Sequence, residues 1–187
     1  MTMYGVLSDQ EITELCSGET SMLDPFVPTQ RGKPSYGLGS FGYDLRLGRK
    51  FLIPRIDHAV VLDPLDFPKD HFEVYEAGDT YDLPPNAQVL SESVERFAMP
   101  DDVCALCWGK SSYARCGLLV NITPLEPGWQ GILTMALINT TRFVIRLHVG
   151  QGIAQVVFFR GRRPKRTYAE KESGGRYQNQ AGVTLPK

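Results

Sequence analysis

A chain of 187 residues and 20.9 kDa has room for one domain rather than two, and a balance of 42% hydrophobic to 22% charged residues excludes wholesale disorder. Eighteen glycines and 13 prolines favour turns and short strands and exclude a helical bundle. The net charge of -1 conceals a division: residues 160–187 hold eight Lys and Arg against only Glu170 and Glu172, a +6 tail, and the preceding residues carry -7.

In chain order, Ser8-Asp-Gln-Glu11 is a capping box in which hydroxyl and carboxylate each satisfy an orphan amide of a first helical turn. It opens a short amphipathic helix over residues 9–17, with Ile12, Leu15 and Cys16 on one face and Gly18 ending it. Residues 18–43 are punctuated by Pro25, Pro28, Gly32, Pro34, Gly37, Gly39 and Gly42 and read as ordered loop. Strands are expected at 45–53, 59–62, 88–97, 103–108, 118–123, 131–139, 142–149 and 153–159. The run from Phe143 to Val149 alternates apolar and polar residues, the mark of one wet face, whereas 153–159 is apolar on both faces apart from Gln155 and reads as a central strand. Eight short strands and one helix predict a mainly β fold, a closed barrel or jelly roll. From Gly161 onward the chain reads as a flexible basic arm. The longest apolar runs fall short of the roughly 20 residues of a membrane span, and the N-terminus has neither a basic segment nor a cleavage site, so a soluble, cytoplasmic protein is expected. The four cysteines, too few for a disulfide scaffold, read as reduced thiols.

Two motifs need sorting. Gly109-Lys110-Ser111 resembles the end of a P-loop, but the loop requires glycine where Cys104 stands, and Gly117 follows too soon for a long helix. What remains is a strand end followed by Lys110-Ser-Ser-Tyr-Ala-Arg115. As a short helix it brings Ser111 and Arg115 to one spot at i and i+4; it is either an anion site beside Lys110 or a polar turn capping an ordinary helix. Cys104-Ala-Leu-Cys107 has metal-ligand spacing in a single copy. A zinc nucleoside deaminase also needs His-x-Glu and a proline before the first cysteine. Only His71-Phe-Glu73 supplies the former and the proline is missing, which favours two ordinary strand cysteines.

Four separated segments together resemble the dCTP deaminase family: Gly109-Lys-Ser-Ser-Tyr-Ala-Arg-Cys-Gly117, Leu125-Glu-Pro-Gly-Trp-Gln-Gly131, Gly152-Ile-Ala-Gln-Val-Val-Phe-Phe159 and Tyr177-Gln-Asn-Gln180. The segments Val6-Leu-Ser-Asp9 and Ser35 to Gly48 are similar too, so the likeness spans nearly the whole chain in order. It implies a dUTPase-like distorted β-barrel over residues 1–160, with residues 161–187 as an arm closing on the triphosphate. It also implies a homotrimer with active sites between subunits and hydrolysis of dCTP to dUTP and ammonia, with Mg2+ accompanying the nucleotide and no zinc. Carried over by motif, Lys110, Ser111, Ser112 and Arg115 form the nucleotide loop, Ser111 and Arg115 also flanking the reacting base. Glu126 lies near the deoxyribose, Thr134, Met135 and Ala136 line base and sugar, and Gln155, Tyr168, Arg176 and Gln180 hold phosphates. The +6 arm then has a triphosphate as its target rather than nucleic acid or a membrane, and is expected to be mobile beyond about residue 166 until nucleotide orders it. Feedback by dTTP would follow from the resemblance as well.

One position departs from the pattern. Where the family carries the glutamate that acts as general base, this chain has Ala136. A carboxylate can take a proton from attacking water and deliver protons to the ring and the leaving amine; a methyl group cannot. Alternation places Thr134, Ala136 and Ile138 on one strand face, and Glu126 has no evident claim to the vacated spot. Survival of every binding motif favours a deaminase whose glutamate has been replaced. The alternatives are a natural nucleotide-binding regulator, and dUTP pyrophosphatase chemistry with Glu126 activating water.

Overall fold

Strands that are apolar on one face must lay that face against another sheet surface, and here one sheet curls to cover itself. The computed structural model describes residues 4–55, 60–172 and 174–187. Its elements are β1 (Gly5–Val6), α1 (Asp9–Cys16), β2 (Leu23–Asp24), β3 (Gly37–Leu38), β4 (Tyr43–Pro54), a 3-10 turn (Lys69–His71), β5 (Phe72–Glu76), β6 (Thr80–Leu83) and β7 (Gln88–Ala98). There follow β8 (Val103–Gly109), α2 (Ser111–Arg115), β9 (Leu118–Asn121), β10 (Gln130–Asn139), β11 (Ile145–His148) and β12 (Gly152–Arg160).

Ten strands form a single sheet along the path β1-β12-β4-β7-β10-β9, with β8 on β12, β2 on β7, and β3 and β5 on β4; β6 and β11 form a separate pair. The long β4 is the corner. Its first half pairs with β12, Asp44 opposite Gln155, and its second half pairs with β5 and β7, Phe51 opposite Tyr75 and Ser91. The curl is completed where Leu125, beyond β9, bridges Ala105 of β8 through two 2.9 Å backbone hydrogen bonds. The mainly β, barrel-like architecture expected from the strand count is therefore present.

Tyr43, Leu45, Leu47 and Phe51 of β4, Phe97 of β7, Met135 and Leu137 of β10, and Ile153 and Phe158 of β12 fill the interior, all fully buried. Each such side chain stabilises the fold by roughly 1.5–3 kcal/mol. The capping box forms as expected: the Ser8 amide donates to Glu11 at 3.0 Å and the Glu11 amide to the Ser8 hydroxyl at 3.5 Å. It starts α1, whose Ile12 and Cys16 plug one side of the core.

The structure corrects several element assignments. Ala59 lies outside the described residues, and Val60 to Leu62 join no strand. The expected strand at 142–149 shortens to Ile145–His148, because Phe143 and Val144 are exposed in a bend. Residues 18–43 contain the two-residue strands β2 and β3 within the predicted loop. Neither β5 nor β6 was expected; they gain their pairing from β4 and β11, partners remote in sequence.

Candidate functional site

On β10 the odd-numbered residues from Gly131 to Asn139 are buried and the even-numbered ones are half exposed. Thr134, Ala136 and Ile138 do share one face, as alternation requires. Ala136 stands between Leu90 of β7 and Asn121 of β9 in register, and all three open onto a cavity of about 710 Å³. Glu126, Trp129, Thr134, Tyr168 and Gln180 line the same cavity. Met135 does not: it points to the opposite face and is fully buried in the core.

Glu126 is the sole acid among the described lining residues, and Lys171 holds it at 2.6 Å. The lining contains no lysine or arginine. One chain therefore supplies a largely apolar chamber with hydroxyl, amide and carboxylate groups at its wall and no cation in it.

Of the residues expected to hold phosphates, Tyr168 and Gln180 line the cavity, whereas Gln155 and the expected nucleotide loop lie elsewhere. Ser111, Ser112 and Arg115 are exposed on α2. Arg115 Nη1 donates to the Ser111 carbonyl at 3.0 Å, so the i, i+4 juxtaposition is present. The Lys110 ammonium is committed to Asp44 of β4 at 2.5 Å, and Gln30 Nε2 donates to the same carboxylate at 3.0 Å. Gln155 is exposed on β12, across from Trp108. Close approach explains why three separated motifs meet here: a Cβ on Gly152 would lie 1.8 Å from the Ser35 carbonyl and 3.3 Å from the Lys110 side chain. Cys104 and Cys107 fall on opposite faces of β8, the former exposed and the latter buried, where burial pushes its thiol up to about 12. Two thiols facing apart cannot share a metal. Among the described residues no group of three His, Cys, Asp or Glu converges.

The arm lies over the cavity. The Trp129 indole donates to the Tyr177 carbonyl at 2.9 Å, and the Tyr177 amide donates to the Tyr168 hydroxyl at 3.0 Å. Gln180 pairs with β10: its carbonyl accepts from Ile132 at 2.8 Å and its side-chain amide donates to the Ile132 carbonyl at 3.1 Å. Gly131, at φ +145°, permits this, since a Cβ there would sit 2.8 Å from the Gln180 nitrogen. Arg176 is exposed and does not line the cavity.

The predicted residues thus divide. Glu126, Thr134, Ala136, Tyr168 and Gln180 converge, whereas Lys110, Ser111, Ser112, Arg115 and Gln155 gather on another surface of the same chain. Sequence reasoning missed Asn121, Tyr177 and the segment Thr184 to Pro186 in the cavity wall, and Asp44 beside Lys110. Asn121 was accessible to the period of β9, where it is the polar outward position; the others depend on contacts far apart in sequence.

A family model described as dCTP deaminase-like matches residues 6–161. Proteins named dCTP deaminase from Campylobacter fetus subsp. fetus and Campylobacter jejuni subsp. jejuni serotype O:6 are 45% and 42% identical to the chain over 186 residues, covering 98% of it and 98% of each relative. The crystal structure of 2'-deoxycytidine 5'-triphosphate deaminase from Agrobacterium tumefaciens superposes with a TM-score of 0.66 at 20% identity, over 86% of this chain and 49% of that one, a likeness of fold.

Proposed function

The chain belongs to the dCTP deaminase-like family, and from that premise we propose that its site is built to hydrolyse dCTP to dUTP and ammonia, but that with alanine at position 136 it binds the nucleotide and turns it over little. The observation that carries this reading is the place of Ala136: on the open face of β10, in the cavity wall, between Asn121 and Leu90. A carboxylate there would take a proton from the water attacking C4 of the cytosine and pass it to the ring nitrogen, then take the proton of the new C4 hydroxyl and pass it to the amine, which leaves as ammonia as the C4–N bond breaks. The alanine methyl does none of this, and Glu126 is held by Lys171.

Binding of the triphosphate needs cations that the cavity wall of one chain lacks. We assign the cations to Lys110 and Arg115 and neutral hydrogen-bonding groups to Ser111, Ser112 and Gln155 of a neighbouring copy, joined by Arg176 and Tyr168 of the arm, in a homotrimer with three shared sites. Support comes from the outward face of β8, where Leu106 and Trp108 are exposed, as is Leu119 of β9: apolar side chains suited to a second copy. Ser111 and Arg115 would then flank the reacting base, while Met135 acts only through the core. Magnesium enters as part of the substrate, carried on the phosphates, as is usual for this ion; the opposed Cys104 and Cys107 support a zinc-independent reaction. No helix among the described residues is long and apolar enough to cross a membrane, and we place the protein with the cytoplasmic nucleotide pool, supplying dUTP toward dUMP and dTTP. The missing carboxylate favours one second reading, a nucleotide-binding regulator on the same scaffold.

The deciding assay follows dUTP and ammonia formation from dCTP with magnesium for the unmodified chain and for Ala136→Glu. Acid–base assistance is worth about 10²- to 10⁴-fold, so the glutamate variant should be faster by at least the lower figure while both bind dCTP. Rapid deamination by the unmodified chain would place the base elsewhere. Tight dCTP binding with no turnover by Ala136→Glu supports the regulator, and release of dUMP and pyrophosphate from dUTP would point to pyrophosphatase chemistry.

A further inference from the structure

Glu92 lies on β7 directly across from Thr134 of β10, on the half-exposed sheet face that also carries Leu90 and Ala136. Facing cross-strand side chains stand about 5 Å apart, and this pair receives two consecutive amides of the arm. The Val183 N–H donates to Glu92 Oε2 at 3.0 Å, and the Thr184 N–H donates to Thr134 Oγ1 at 3.1 Å. The approach is close: a Cβ on Gly182 would lie 2.7 Å from Glu92 Oε2. The next residues, Leu185 and Pro186, enter the cavity wall with Ala136.

We propose that Glu92 and Thr134 form a two-point receptor for the arm, in which Glu92 is a positioning residue: by seating Val183 it sets Leu185 and Pro186 over the cavity, where they close on bound nucleotide. A carboxylate suits the task because an ionised acceptor makes a stronger bond to an amide than a neutral one. Gln180, paired with Ile132, fixes the arm three residues upstream of Val183, so Glu92 fixes the direction in which the chain leaves the sheet edge and enters the cavity. Thr134 thereby has a second use, holding the closing segment as well as lining the cavity. The role given to closure rests on the nucleotide reading above; the receptor itself does not.

Amide hydrogen exchange on the full chain without nucleotide, comparing the unmodified protein with Glu92→Leu and Glu92→Gln, tests the receptor. Exchange at Val183 and Thr184 should rise about tenfold or more in Glu92→Leu, the scale of a lost bond to a charged acceptor. Glu92→Gln, whose amide oxygen still accepts, should keep most of the protection. Unchanged exchange at Leu137 and Val89 would show that the barrel is intact in both. Calorimetry with dCTP should then rank affinity in the order unmodified, Gln, Leu. Unaltered exchange at Val183 and Thr184 in Glu92→Leu overturns the receptor, and dCTP affinity that survives its loss overturns the positioning role. Absence of dCTP binding by the unmodified chain overturns the nucleotide reading and the positioning role with it, leaving exchange at Val183 to decide the receptor alone.

Discussion

Asn139 shows how much one buried amide can organise. It ends β10 with 1% of its surface exposed, and its Nδ2 reaches the carbonyl oxygens of Leu83, Pro84 and Phe143 at 3.2, 2.9 and 2.7 Å. Its Oδ1 accepts from the Thr141 amide and hydroxyl, both at 2.9 Å. One side chain thus ties the end of β10 to the turn after β6 and to the bend that shortens β11. Leucine has a similar volume but would remove the partner of the buried Leu83 carbonyl and of the part-buried groups of Pro84, Phe143 and Thr141, a loss of about 1–3 kcal/mol for each polar group left buried and unpaired. Asn139→Leu should therefore lower unfolding free energy in urea by about 3 kcal/mol, and a loss below about 1 kcal/mol would show that water replaces the network.

At the scale of an element, the arm is anchored at its root by charge and at its far end by β10. Arg163 donates to Asp101 at 3.2 Å and to Glu170 at 2.7 Å, and the other Glu170 oxygen accepts the Thr167 amide at 2.8 Å. The Thr167 amide above all, and then Arg163, hold the Glu170 carboxyl below its ordinary value of 4.5. A depressed folded pKa means that the contribution to order is complete above the ordinary value and is lost as pH falls through the lowered one. The Thr167 amide resonance should accordingly move below about pH 4.5, toward its position in a loosened turn. Glu170→Gln should abolish that movement, and a titration unchanged by the substitution would assign it to another group.

For the whole molecule, the division of the site between two surfaces of one chain is the strongest argument for assembly. In the proposed homotrimer, the cavity without cations in its wall and the solvent-facing Arg115 of α2 would complete each other between copies, and closed cyclic symmetry would satisfy every such contact. Sedimentation of the unmodified chain should give about 63 kDa, three times the 20.9 kDa chain mass. Trp108→Asp places a charge in the exposed apolar face of β8 and should shift the protein toward monomer and weaken dCTP binding together. A stable monomer at micromolar concentration that binds dCTP would remove the shared site.

Much of this protein was legible in the residues themselves. The capping box predicted α1 because its two hydrogen bonds are local, strand-like runs with Pro or Gly in most of the gaps predicted β7, β8, β10 and β12, and the two-residue period of β10 is set by its own covalent geometry. The same period placed Thr134 and Ala136 on one face before any fold was known, and the four motifs carried the family. Pairing decided the rest. The strands β5 and β6 exist because β4 and β11 offer them backbone partners, and the expected strand at residues 142–144 fails because Asn139 and Thr141 capture that backbone instead. Whether Met135 meets ligand or core depends on which side of β10 the sheet curls toward, and that follows from closure of the barrel. Likewise, Glu92 and Val183 are 91 positions apart in sequence, and no local pattern joins them. The chain's own chemistry determined the strand faces, the helix start and the methyl side chain at position 136. Long-range hydrogen bonding and burial decided which face became the cavity, because those energies exist only once remote segments have met.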